Sequence, residues 1–296
     1  MAAPNLTALE TAFVQDAKVF SEQVLNWNLR NQGVQIRTNV TAPQALTKLS
    51  AVGEPRPYRT QDDFGSGADF SDRTITAYQS KWDTDFDPEN FRNTYLADLP
   101  DTPFETAAIQ HVAKKYLHTL LKKTVYSGVR NAAGTGAVDL ANGFGTIIAA
   151  EIAANKLTPV VTGAITAANA VDKVELVAEG VPTEIRENNN GILFCSYNVF
   201  DKFTKHYRAL NGYKLDTTAT GGYMLDNKNM ELRPVSWMNA SQRIIATVEN
   251  NLVLGTDAEQ VRIYPTRHLN ILKLRFMMPI GMEIQDLDAI VVNDQA

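Results

Sequence analysis

The chain has one cysteine, Cys195, in 296 residues. No internal disulfide can form, so stability must come from packing within the chain or against neighbouring copies. Histidine is nearly as scarce: four residues, at 111, 118, 206 and 268, none in a pattern that gathers metal ligands. Long hydrophobic runs are also lacking. GTIIAAEIAA, at 145–154, is broken by Glu151 and falls short of the ~20 residues that span a bilayer. The N-terminal MAAPNLTALETAFVQDAKVF has neither the basic stretch nor the apolar core of a signal peptide. A protein made in the cytosol, with no membrane partner, is the expectation. There is no excess of positive charge either. A net charge of −5 argues against a nucleic-acid binder held by phosphate contacts. The local cluster Lys114, Lys115, Lys122 and Lys123 reads as the solvated face of a helix.

What is present is an ordinary globular composition, 44% hydrophobic and 21% charged. A fold of this length buries roughly three quarters of its unfolded surface. Residues 6 to 30 carry Leu9, Phe13, Val14, Phe20, Val24 and Leu25 on an approximate helical stripe. VQIRTNV, at 34–40, reads as extended. From Thr41 to Arg73 the periodicity fades among Pro43, Pro55, Pro57, Gly53, Gly65 and Gly67. TITAYQSKW, at 74–82, then reads as a second extended segment. About 30 residues with little periodicity is long for a hairpin loop inside a compact domain. Yet Leu46, Leu49, Tyr58, Phe64 and Phe70 make it too apolar for a disordered linker. The expectation is a long projecting loop packed on a neighbouring subunit. Arg56, Arg59, Asp62 and Asp63 join those apolar residues as candidate inter-subunit contacts, because charge pairs fix register at interfaces.

DTDFDPEN, at 83–90, places Asp83, Asp85 and Asp87 at alternate positions like a calcium loop, but Pro88 and Thr94 stand where the glycine and the bidentate glutamate belong. It reads instead as a turn out of the long loop. A long helix follows, with Thr102 as N-cap, Pro103 at its first position and Glu105 completing the capping box. Its stripe is Ile109, Val112, Tyr116 and Leu120, reinforced by Leu117 and Leu121, and Gly128 and Gly134 mark its end. Gly143 and Gly145 lack the third glycine of a dinucleotide loop, since position 148 is Ile148; they read as a turn feeding a small helix. Another helix is expected in TGAITAANAVDKVELVAEG, capped by Thr162 or Thr166 and stopped by Gly180.

GILFC, at 191–195, is a short buried-strand pattern. Ser196 or Asn198 can cap the helix after it. Phe200, Phe203, Tyr207 and Leu210 share one face of that helix, and Asn211-Gly212 ends it. A thiol at a helix N-terminus can be reactive, but Leu193 and Tyr197 stand where a nucleophile elbow needs glycines. Cys195 therefore reads as a packed hydrophobe. In the last third Leu272, Leu274, Phe276 and Met278 alternate with Lys273, Arg275 and Met277, the period of a half-buried strand. The order helix, looped hairpin, long helix, mixed α/β and strands makes the fold class α+β.

Several segments, in this order, resemble the major capsid proteins of tailed bacteriophages of the Hong Kong 97 type. RTITAYQSKWDTDFDPENFRNTYL is similar to the end of that family's extended E-loop, PFETAAIQHVAKKYLHTLLKKTVYSGVR to its spine helix, GILFCSYNVFDKFTKHYR to the strand-helix unit of its axial domain, and ENNLVLGTDAEQVRIYPTRHLNILKLRFMMPIGMEI to its closing strands. The resemblance implies an N-terminal arm at 1–32, an E-loop at 33–83, a peripheral domain at 84–142, an axial domain at 143–255 and closing strands at 256–296. It implies a structural protein and not an enzyme, without cofactor or metal. That protein would assemble with itself into pentamers and hexamers of an icosahedral virion shell enclosing DNA, with separate scaffold and portal proteins. Lys48, in the loop, is a conceivable crosslink donor by the same resemblance, but no acceptor or catalytic carboxylate is identifiable, and crosslinking is not expected. Three alternatives stay open: an encapsulin-like cellular compartment, an enzyme built on Cys195 with a distant histidine, and a binding module with a disordered loop.

Overall fold

The computed structural model describes residues 33–51, 68–86, 104–187, 191–212, 217–218, 221–226, 229–257, 262–268 and 271–295. The alternation in the last third produces a 14-residue strand, β11 (Ile271–Ile284), after β10 (Arg262–His268). Leu274, Phe276 and Met278 are buried while Lys273 and Arg275 are exposed. β11 pairs antiparallel with β10, with β9 (Leu252–Thr256) and with β4 (Tyr78–Phe86), and β1 (Gln35–Arg37) adds to β9 in parallel. Helix α1 (Phe104–Lys123) lies on the buried face. Its Tyr116 ring stands 4.5 Å from Phe276 and 5.7 Å from Trp82, and its hydroxyl shares Ser80 Oγ with the Met278 carbonyl. Burial drives the Tyr116 phenol far above its ordinary pKa, so this contact stays neutral across the working range. Leu117 and Leu120 complete the buried stripe, and Lys114, Lys115, Lys122 and Lys123 are exposed.

The second sheet runs β12-β8-β5-β7-β6: β12 (Ile290–Val292), β8 (Ile244–Val248), β5 (Gly191–Ser196), β7 (Met230–Val235) and β6 (Tyr223–Met224). Every residue of β5 is buried. On one face sit α3 (Ala170–Glu179) and α5 (Tyr197–Asn211), through Val174, Val177, Val199, Phe203 and Tyr207. The other face shares its core with the first sheet, α1 and α2 (Phe144–Ala153). A short helix, α4 (Thr183–Glu187), follows α3. Trp237, just after β7, is fully buried there with Tyr126, Phe144 and Phe194 at 6.3, 5.6 and 5.9 Å. Ser196 caps α5 by accepting from Val199 N, and Gly212 closes it at φ 71°, the left-handed conformation that glycine adopts at no steric cost.

After β12, Asn293 bridges to Val160 and Asp294 N donates to the Val160 carbonyl. The Asp294 carboxylate accepts from the amides of Thr162 and Gly163 and from the Thr162 hydroxyl at 2.9–3.1 Å. Partial desolvation pushes its pKa up, but bonds from Gln295, Thr162 and Gly163 outweigh that and hold it at about 2. The lowered folded-state value means that this contribution is complete above about 3.8, the unfolded value, and is lost as pH falls towards about 2. Asp294→Asn is expected to narrow the gap in urea midpoint from the native chain as pH drops through that window.

Several sequence expectations need correction. TITAYQSKW is not one strand: β3 (Ala68–Ile75) ends before Thr76 and Ala77, and β4 begins at Tyr78 in a different sheet. Asp83–Phe86 is strand rather than turn, because Asp83 and Asp85 face Arg275 and Lys273 across the β4–β11 pairing. α1 stops at Lys123, before Gly128. Asn169, not Thr162 or Thr166, occupies the N-cap of α3, while Gly180 ends it as expected. Leu210 is 60% exposed. In its place His206 is the buried member of the α5 face, its Nδ1 accepting from Val171 N at 3.1 Å. The helix expected at 6–30 and the Thr102 cap lie outside the described residues, as do the side chains of Glu105, Ile109 and Val112.

Candidate functional site

The stretch with fading periodicity forms a two-stranded antiparallel hairpin of β2 (Gln44–Ala51) and β3, paired from Gln44↔Ile75 to Ala51↔Ala68. Period-2 geometry places Leu46, Lys48, Arg73 and Ile75 on one face. That face is apolar at its root and charged further out. Leu46 and Ile75 are almost fully buried against Val40 and Val253. Leu46 thus belongs to the core of its own subunit, which removes it from the inter-subunit candidates. Leu49 and Phe70 are register partners, out of phase with Leu46 and Arg73. Arg56, Tyr58, Arg59, Asp62, Asp63 and Phe64 lie outside the described residues.

Beyond the root, two ion-pair groups anchor the hairpin. Lys48 Nζ donates to Asp286 Oδ1 at 2.8 Å and to Asp288 Oδ2 at 2.7 Å. Asp286 is itself fixed, because Asn251 Oδ1 accepts from its amide at 2.7 Å and Asn251 Nδ2 donates to its carbonyl at 2.8 Å. Arg73 Nη2 reaches Glu283 Oε1 at 2.7 Å and Glu151 Oε1 at 2.8 Å. Glu151, which interrupts the apolar run of α2, is therefore the α2 end of a bridge to the hairpin. The hydrogen bonds that Lys48 donates to Asp286 and Asp288 raise its pKa above the ordinary value, so its amine is protonated and engaged within its own chain.

The root crosses the first sheet where Gly281 pairs with Gly255. A Cβ on Gly281 would stand 2.1 Å from Thr76 O, and one on Gly255 would stand 2.8 Å from Ile75 Cδ1. Two adjacent glycines thus open the space through which the β3–β4 junction passes. Neither was singled out by sequence pattern, since each is one residue in a strand and their pairing is visible only in register.

The chemistry weighed from sequence looks different in three dimensions. Cys195 is fully buried, with Sγ 3.9 Å from the Arg233 carbonyl. Burial pushes its thiol far above the ordinary pKa, which removes the thiolate a nucleophile needs. His206 is committed to α3, His118 is exposed, and the side chains of His111 and His268 are outside the described set. Native Cys195 is expected to resist iodoacetamide at neutral pH for hours and to react within minutes once unfolded; rapid native alkylation would contradict this packing. Asp83, the first of the alternating aspartates, is bound by Arg275 through both carboxylate oxygens at 2.6 and 3.2 Å. That hydrogen-bonded guanidinium holds its carboxyl below the usual range. Among the described residues no three His, Cys, Asp or Glu side chains are grouped to hold a metal.

The fold is that of phage capsid structures. A chain of the satellite phage P4 procapsid, a particle that includes the size-determination protein Sid, aligns over 99% of this chain and 91% of its own, with a TM-score of 0.58 and 12% identity. The capsid of Myoviridae phage XM1 aligns over 90% of both chains, with a TM-score of 0.55 and 11% identity. The capsid of an empty GTA particle covers 90% of this chain and 95% of its own, with a TM-score of 0.55 and 15% identity. No protein-family model and no curated protein sequence matches the chain.

Proposed function

We propose that this chain, which has the fold of phage capsid structures, is the major coat subunit of a tailed-phage virion. Copies form pentamers and hexamers of an icosahedral shell around packaged DNA. The observation that carries this reading is the shared fold, which extends over nearly the whole of this chain and of its structural neighbours. Those neighbours are phage and GTA particles, which favours a viral coat over a cellular compartment. In this reading the β2–β3 hairpin is the extended E-loop of 33–83 and α1 is the spine helix of a peripheral domain at 84–142. The second sheet with α3 and α5 is the core of an axial domain at 143–255, and residues 256–296 are closing strands. Leu49, Arg56, Tyr58, Arg59, Asp62, Asp63, Phe64 and Phe70 contact neighbouring subunits. The net charge of −5 suits a shell that encloses DNA without gripping phosphates. Scaffold and portal proteins are separate partners.

Light scattering on a sizing column tests the proposal. Coat protein co-expressed with the proteins encoded beside it elutes as pentamers, hexamers or megadalton particles. A mass that stays at the 32.7 kDa of one subunit under those conditions would sink it.

A further inference from the structure

We propose that the angle of the β2–β3 hairpin is set by an electrostatic latch within the subunit. Lys48 on Asp286 and Asp288, and Arg73 on Glu151 and Glu283, hold the hairpin down, and the Leu46–Ile75 root is the pivot on which it swings when they release. Among the described residues little else holds the hairpin. Its described apolar burial ends at the root, where Leu46 and Ile75 meet Val40 and Val253. One register step outward from Ile75 and Gln44 comes Arg73 opposite Leu46, and another brings Lys48 opposite Ser71. Both cations lie on the face that the apolar pair turns inward.

The receiving side is rigid, and so suited to act as a fixed catch. Glu283 belongs to β11, with Oε1 also accepting from Ile284 N at 3.0 Å. Asp286 is tied to Asn251, which is itself buried, and Asp286 Oδ1 accepts from Asp288 N at 2.9 Å. Glu151 stands on α2, with Lys156 Nζ 3.6 Å from its other oxygen. Four carboxylates therefore converge on two hairpin cations and Lys156. Removing Arg73 leaves Glu151 and Glu283, whose side chains are 13% and 16% exposed, without their shared guanidinium. Such half-buried like charges repel each other and disfavour the docked hairpin.

The two anchors differ in exposure and so in response. Asp288 is 88% exposed, which leaves the Lys48 anchor open to screening by salt. The Arg73 anchor is sheltered and yields only when its partners are changed. The latch is thus graded: salt loosens the outer grip while the inner one persists. It is intramolecular and does not depend on assembly, so its failure and that of the coat reading are separable.

Pulsed electron-spin distance measurement on unassembled subunits tests it. Thr47→Cys on the hairpin and Lys205→Cys on α5 provide the label sites, both exposed, while buried Cys195 stays unlabelled. A single narrow distance is expected at about 0.05 M NaCl, broadening at about 1 M, where the screening length falls to ~3 Å. Arg73→Met is expected to raise the undocked population about tenfold at low salt. Lys48→Asp is expected to broaden the distribution and Asp286→Lys added to it to narrow it again, a rescue that packing alone does not give. Circular dichroism confirms that each variant is folded. An unchanged distribution in high salt and in folded Arg73→Met, or no rescue by the charge swap, would overturn the latch.

Discussion

Trp237→Ala is expected to lower the unfolding free energy by about 3–5 kcal/mol, the cost of removing a fully buried large aromatic that leaves a cavity. The indole is the point at which the turn after α1, helix α2 and strand β5 meet, through Tyr126, Phe144 and Phe194. Those three rings come from three different elements, so closing the cavity would need more than one of them to shift. A total stability of 5–15 kcal/mol is typical of a domain, and the variant is expected to be partly unfolded near body temperature. Among the described residues the indole N–H has no hydrogen-bond partner. Trp237→Phe therefore loses bulk without orphaning an acceptor, and about 1–2 kcal/mol is expected. Urea denaturation followed by circular dichroism gives both values. A loss under 1 kcal/mol for the alanine variant would contradict the packing described.

Gly281→Ala is expected to act on the hairpin more than on the body of the fold. The new methyl group would stand 2.1 Å from Thr76 O and 3.1 Å from Ala77 Cα, a clash with backbone that no rotamer relieves. Either β11 or the β3–β4 junction must move, at a cost of about 1–3 kcal/mol for an overpacked site. The junction is the softer of the two, since β11 is paired on both sides through Ile280. Lifting it pulls Ile75 and Leu46 from the root and draws Lys48 and Arg73 off their carboxylates. The expected result is a folded subunit with a small drop in urea midpoint and a large loss of particle yield. Normal particles from Gly281→Ala would show that the root's seating on the sheet is dispensable.

Much of the scaffold was legible because its signals are local. The alternation of Leu274, Phe276 and Met278 with Lys273 and Arg275 announced β11, and the sequence from GILFC through Ser196 to Gly212 announced a buried strand, a cap, a helix and its stop. Each signal sits within one element and reports one physical requirement. The hairpin reads as loop because its inward face carries two cations beside its apolar pair. Lys48 and Arg73 stand where a period-2 pattern wants apolar residues, and their carboxylates lie far along the chain, Asp286 238 positions from Lys48 and Glu283 210 from Arg73. The break at Thr76–Ala77 was missed for a similar reason. It is imposed by the crossing over Gly255 and Gly281, and nothing in TITAYQSKW itself shows it. Asp83 and Asp85 resembled half a calcium loop only while their partners on β11 were out of view; Arg275 lies 192 positions further on. Leu46 shows the limit in the other direction. Its type fitted an interface, but its place beside Ile75 puts it in the subunit's own core.

A cryo-electron-microscopy reconstruction of particles purified from producing cells tests the central claim most directly. The account predicts a closed icosahedral shell of five- and six-membered rings, with the β2–β3 hairpin of each subunit lying across its neighbour and Leu49 and Phe70 in the contact. A product that contains only free subunits or open, unringed oligomers, with the hairpin touching no other copy, would contradict it.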